Sequence, residues 1–237
     1  MKDTASANEA TPLQEDKEES GIGNCLCCRI VAPIRFGFLG NNRRKALQLA
    51  HCVCAFSLLL MTIGFFGAYS SGHVLSYVSW MTFHGPNGIG YAGVRSVCTP
   101  ERNGSEDVKC QTWSEFHCKA DMCELCKTQS MGMLVSIFIG CITYYTFYRK
   151  TEARLQGNDN NCTKFMSCFS AFVGGTNFGL SMIAYWQTCV MVADKLPNME
   201  IHAGPGCWCI SIATLLKVFM GFLHLGLPVE HAKAESV

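Results

Sequence analysis

Four long stretches of this chain carry almost no formal charge, and they limit its folds more than any other feature. Residues 46–69 ("ALQLAHCVCAFSLLLMTIGFFGAY"), 130–148 ("SMGMLVSIFIGCITYYTFY") and 165–193 ("FMSCFSAFVGGTNFGLSMIAYWQTCVMVA") contain no Asp, Glu, Lys or Arg. Residues 207–228 ("CWCISIATLLKVFMGFLHLGLP") contain only Lys217. A helix rises about 1.5 Å per residue, so about 20 apolar residues cross a hydrocarbon layer about 30 Å thick. Each stretch meets or nearly meets that length, 130–148 being the shortest. Helices buried in a soluble core are usually shorter and keep a polar stripe. The whole chain is only 16% charged, against about 25% in ordinary globular domains. The expectation is a membrane all-α fold, a four-helix transmembrane bundle.

Basic residues near span ends orient such a bundle. Arg29, Arg35, Arg43, Arg44 and Lys45 precede the first span; Arg149, Lys150, Arg154 and Lys164 lie between the second and third; Lys233 follows the fourth. Both termini are therefore expected in the cytosol. This gives a cytosolic tail 1–45, an outward loop 70–129, a cytosolic loop 149–164, a short outward loop 194–206 and a cytosolic tail 229–237. The first 21 residues are polar, acidic and free of aromatics, a composition that does not collapse onto a core. They show no cleavable signal peptide, so the first span is expected to act as its own insertion signal. A formal net charge of +1 gives no reason to expect a nucleic-acid partner.

The outward loop concentrates cysteines: Cys98, Cys110, Cys118, Cys123 and Cys126, four of them within "CQTWSEFHCKADMCELC". Outward segments pass through an oxidising compartment, and a loop of this size buries little core. Disulfides are the expected source of rigidity, with Cys110–Cys118 the preferred pair around Trp113. Five cysteines leave one over unless Cys207 or Cys209 pairs across the two outward loops. The alternative is zinc held by His117, Cys118, Cys123 and Cys126, since "CELC" has the two-residue gap of zinc knuckles. Upstream, β-branched and aromatic residues at 74–98 with "GPNG" at 85–88 predict two or three strands. "NGS" at Asn103 is a glycosylation sequon on the outward side, whereas "NCT" at Asn161 falls on the cytosolic side and should stay bare. Inside, Cys25, Cys27 and Cys28 sit among basic residues ahead of the first span, a setting for S-palmitoylation.

Within the spans, Lys217 is the only formal charge, and such a residue costs about 2.5–3.5 kcal/mol on insertion scales. His224 lies seven residues on along the same helix face, and Asn177 lies at similar depth in the third span. These three either line an ion or proton path or are satisfied by neighbouring polar groups; no span holds an acid to complete a relay. Ala171, Gly175 and Gly179, and Gly64 with Ala68, are spaced to let helices approach closely. Tyr185, Trp186 and Trp208 read as interfacial aromatics. No nucleophile–base, phosphate-loop or metalloprotease motif is present, so neither catalysis nor a cofactor is expected.

This plan resembles the claudin-like four-transmembrane proteins, and within them the amastins, surface glycoproteins of kinetoplastid parasites. The likeness rests on "CQTW" with Cys118 (Cys110, Thr112, Trp113), on "KTQSMGMLVSIF" entering the second span, and on "GPGCWCISIATLLKVFMGFLHLGLP" as the closing span. It covers roughly residues 46–228, mostly as layout. The spacings on both sides of Trp113 are one residue shorter than the amastin signature, Ser114 follows it, and Cys123 and Cys126 are additional. The resemblance implies a non-enzymatic plasma-membrane glycoprotein acting in surface organisation, adhesion or membrane homeostasis. Its expected partners are membrane lipids and neighbouring surface proteins or further copies of itself. The alternative is a channel, transporter or accessory subunit with Lys217, His224 and Asn177 lining a polar path.

Overall fold

A computed structural model describes residues 42–68, 71–86, 88–100, 108–115, 121–191 and 200–229, with backbone alone for 121–123. The sites expected at Cys25, Cys27, Cys28, Asn103 and Cys118, and the side chains of His117 and Cys123, lie outside the described residues.

Four long helices carry the uncharged stretches: α1 (Arg43–Phe66), α3 (Asp121–Leu155), α4 (Asn161–Tyr185) and α5 (Pro205–Gly226). Their ends follow local chemistry. At the start of α4 the Asn160 side chain accepts hydrogen bonds from the Thr163 amide at 2.7 Å and hydroxyl at 2.9 Å, relieving one of the unpaired first-turn donors. Pro205 opens α5, where its missing N–H and fixed φ cost nothing. The second uncharged stretch, the shortest in sequence, becomes the longest helix: 35 residues, or about 50 Å at 1.5 Å per residue. It therefore projects well beyond a hydrocarbon layer about 30 Å thick. After Tyr185, α4 continues as a π-helical turn over Trp186–Val190, where Thr188 donates to the Ala184 carbonyl at 2.7 Å.

Among the described residues, three helices are long and apolar enough to cross a membrane: α1, α3 from Glu124, and α5. In α4, Ser167, Ser170, Gly174, Gly175, Thr176, Asn177, Gly179 and Ser181 dilute the apolar residues. That composition reflects what α4 does. It packs between α3 and α5, and its small residues are the packing surface. A side chain at Gly175 would strike Val218, one at Gly221 would meet the Ala171 Cβ at 3.1 Å, and one at Gly64 would strike Ile210. Gly179, expected to continue the ladder, faces open space instead.

The described strands form one antiparallel sheet in the order β4–β3–β2–β1–β5. These are β1 (Met81–Gly85), β2 (Gly88–Ala92), β3 (Ser96–Pro100), β4 (Val108–Thr112) and β5 (Glu200–Ala203). The "GPNG" turn closes β1 onto β2, with Gly85 paired to Gly88 and Gly88 at φ 120°, a conformation that favours glycine. Two features depart from the sequence expectation. Residues 72–78 form a short helix, α2 (Gly72–Val78), rather than strand. The sheet also takes its edge strand β5 from the segment before α5, paired Met81↔Ala203 through His84↔Glu200.

Candidate functional site

The sheet is fixed to one end of the bundle by a buried tryptophan that no sequence motif marks. Trp80 is fully buried, and its indole N–H donates to the Gly64 carbonyl of α1 at 2.9 Å. Its ring packs edge-on to Tyr185 of α4 at 5.5 Å. Its backbone donates to Ala92 at 2.8 Å and accepts from Gly204 at 2.9 Å. Thus one residue joins α1, α4, β2 and the approach to α5. Gly67 leaves the room: a side chain there would land on the indole. Tyr185, expected at the lipid interface, is instead enclosed behind Trp80, while Trp186 and Trp208 are the exposed pair.

Trp113 plays the second anchor. It is buried, donates from its indole to the Gly93 carbonyl at 3.2 Å, and its amide donates to the Arg95 carbonyl at 3.1 Å. Next to it, the exposed Glu115 carboxylate accepts from the Thr112 amide at 3.1 Å, and that backbone hydrogen bond holds its carboxyl below the usual carboxylate range.

Among the described residues, two disulfides staple this end. Cys98–Cys110 links β3 to β4 at directly opposed positions. Cys110 therefore pairs with Cys98 rather than with Cys118, because strand register brings those two together. Cys126–Cys189 ties the start of α3 to the π-helical turn. Cys189 lies within the third uncharged stretch, where no disulfide was expected. Cys207 and Cys209, the expected cross-loop candidates, are free thiols. Among the described residues no group of three or more His, Cys, Asp or Glu is placed to hold a metal ion.

Lys217, His224 and Asn177, expected to share a polar path within the spans, sit in three hydrogen-bonded groups. Asn177 donates to the Ser136 carbonyl at 3.2 Å, beside a Ser136–Ser181 hydroxyl pair at 2.5 Å. Lys217, fully buried, donates to Thr143 Oγ1 at 2.6 Å and lies 3.8 Å from the Tyr144 ring centroid. Gly174 makes its space, since a side chain there would fall on the ammonium. The Tyr144 and Ser57 hydroxyls lie 2.6 Å apart, and both reach the Ala213 carbonyl, at 2.8 and 3.0 Å. That knot holds α1, α3 and α5.

His224 belongs to a network at the opposite end that residue pattern did not reveal. Arg154 is buried and donates from Nε to Asp159 Oδ1 at 2.8 Å. Its other nitrogens reach His224 Nδ1 at 2.9 Å and the Leu227 and Pro228 carbonyls at 3.4 Å each. Arg43 also pairs with Asp159 and donates to the Pro228 carbonyl at 3.2 Å. His224 Nε2 stands 3.3 Å from the Thr151 hydroxyl. The guanidinium thus takes up carbonyls that the end of α5 leaves without helical donors. The start of α1, the end of α3, the loop before α4 and the end of α5 meet on one carboxylate.

The outer faces reverse this pattern. Leu49, Phe56 and Leu59 of α1, Phe138 and Ile142 of α3, Leu180 and Ile183 of α4, and Leu215, Phe219 and Phe222 of α5 are all exposed. A cleft of about 430 Å³ between α4 and α5 near the sheet is lined by Met182, Ile183, Trp186, Met191 and Trp208, with Gln187 and Ser211 as polar points. No known family profile matches the chain, and no curated protein matches it in sequence.

Proposed function

We propose that this is a non-enzymatic integral membrane protein of the cell surface, a four-pass bundle that presents a stapled sheet outward. It organises the surface, adheres or maintains the membrane through contacts with lipids and neighbouring proteins. The observation that carries this reading is the inverted surface. Large apolar side chains cover the outside of all four long helices, while Ser57, Ser136, Ser167, Lys217 and His224 are buried between them. In water, contiguous apolar exposure on that scale promotes association; in lipid it is the expected exterior.

The claudin-like and amastin-like resemblance supports the same reading: a long first loop whose strands surround Trp113 and its cysteines, and a short second loop. Basic residues cluster at the Arg154 end, which this topology places in the cytosol. Asn103 would then carry a glycan and Cys25, Cys27 and Cys28 acyl chains. The transport alternative gains little, because Lys217, His224 and Asn177 each spend their hydrogen bonds on separate partners.

Proximity labelling in intact cells from a tag in the β1–β2 turn tests the proposal. Labelling of lipids and other surface proteins is the expected result; labelling confined to cytosolic proteins would refute it. Lys217→Met addresses transport directly, and unaltered ion or proton flux at an unchanged surface level is expected.

A further inference from the structure

The cleft of about 430 Å³ between α4 and α5 owes its shape to an irregular turn. In an unbroken α-helix Met191, nine residues after Met182, would lie about two and a half turns on and face the opposite side. The π-helical turn over Trp186–Val190 takes more residues per turn. It swings Met191 round to line the cleft with Met182, Ile183 and Trp186. Such turns in α-helices are frequent at functional sites. Cys189, in the same turn, is buried and bonded to Cys126 of α3 rather than facing the cleft, so the turn is pinned from behind.

The lining selects among membrane amphiphiles. No lining residue is charged, so a phosphate or a carboxylate finds no cation there. The Gln187 side chain is exposed and holds no hydrogen bond among the described residues. Ser211 donates its hydroxyl to the Cys207 carbonyl at 2.9 Å, which leaves its oxygen as an acceptor. An amide and a hydroxyl oxygen suit a ligand hydroxyl, which both donates and accepts. The remaining wall is apolar, and Trp186 and Trp208 add broad ring faces. Against it a rigid fused-ring molecule loses little freedom, whereas an acyl chain must have its rotatable bonds frozen one by one. Small-molecule sites span about 300–1,000 Å³, and this cleft lies toward the lower end, with room for one compact amphiphile. Ala203, at the end of β5, closes it on the sheet side. Under the four-pass reading, on which this inference rests, the exposed Trp186 and Trp208 put the cleft where headgroups meet hydrocarbon. A sterol hydroxyl sits at that depth.

We propose that the cleft binds one membrane sterol, its hydroxyl at Gln187 and its fused rings along Met182, Ile183, Trp186 and Trp208.

The test reconstitutes the full-length protein in phosphatidylcholine vesicles with a trace of photoactivatable sterol or, in parallel, of photoactivatable phosphatidylcholine. Labelled residues are then mapped on peptides. The sterol probe should concentrate on Met182, Ile183, Trp186 and Met191 and be displaced by excess unlabelled sterol. The phospholipid probe should spread over the exposed residues of all four long helices. Gln187→Leu should raise the competing sterol concentration about fivefold, the worth of one net hydrogen bond. Ser211→Phe, which fills the cleft, should remove most of the cleft labelling while peptide mapping still recovers the Cys126–Cys189 linkage. Phe56→Leu, on the exposed face of α1, should change nothing. Sterol labelling that is not displaced, or that matches the phospholipid pattern, would overturn the proposal and leave the four-pass reading intact. Failure of both probes to label any exposed helix residue would overturn both.

Discussion

Asp159→Asn should be among the most damaging single substitutions in the molecule. The carboxylate is buried, with its charged partner Arg154 fully enclosed and Arg43 at its rim. The amide keeps the shape but removes the negative charge, leaving two guanidinium groups facing each other across a site with little access to water. Breaking a buried pair from one side costs about 3–5 kcal/mol, whereas removing both partners together is often close to neutral. Arg154 keeps its bonds to His224 and to the Leu227 and Pro228 carbonyls, so the lower half of that range is expected. For a chain of this size each kcal/mol shifts the unfolding midpoint by about 2–4 °C. The expected drop is therefore about 6–16 °C. Trp80 and Trp113, both buried, report unfolding by intrinsic fluorescence of the detergent-solubilised protein during a temperature ramp. Arg43→Gln, at the more open rim, should cost much less, about 1 kcal/mol. The Arg154→Met/Asp159→Leu double variant should recover part of the loss. A midpoint for Asp159→Asn within about 2 °C of wild type would refute the clamp.

Other outcomes follow from the same geometry. Peptide mapping without reduction should recover Cys98 linked to Cys110 and Cys126 linked to Cys189; a Cys110–Cys118 peptide would contradict the strand register. By loop-closure entropy, removing the first linkage, 12 residues apart, should cost about 3 kcal/mol and the second, 63 apart, about 4 kcal/mol, read from the same fluorescence ramp. Gly67→Ala should destabilise strongly because its methyl collides with the Trp80 ring, whereas Gly179→Ala, facing open space, should be neutral or stabilising; similar midpoints for the two would exclude the Trp80 anchor. Asn103→Gln should abolish a glycosidase-sensitive mass shift and Asn161→Gln should not. A shift that depends on Asn161 would invert the proposed topology.

How much of this was legible in the sequence depended on whether the signal was local. The helices were, because an uncharged apolar run of about 20 residues is what a helix surrounded by lipid requires. The β1–β2 hairpin was, because "GPNG" between β-branched and aromatic residues specifies a turn. Residues 74–78 misled for the same reason: Val74, Tyr77 and Val78 favour strands, yet here they lie in a short helix that buries Leu75 and leaves Tyr77 exposed. Strand β5 is four residues long, too short to show a period, and exists through its pairing with β1. Disulfide partners depended on register, which spacing does not encode. Arg43 and Arg154 read as flanking charges on the cytosolic side, and nothing local to either announces Asp159 as their shared partner. Trp80 likewise resembles any other aromatic in a strand; its role comes from Gly64 and Gly67, more than a dozen residues away. Lys217 stands out because a charge in a span is conspicuous. Thr143, Tyr144 and Gly174, which make it tolerable, gain their meaning only when α3 and α4 pack against it.

We propose that lipid surrounds the four long helices, with the sheet on the outer side and the Arg154 network on the cytosolic side. Epitope tags in the β1–β2 turn and at both chain ends, stained in intact and in permeabilised cells, test it most directly. The turn tag should be reached in intact cells and both end tags only after permeabilisation. Staining of either end tag on intact cells would contradict it.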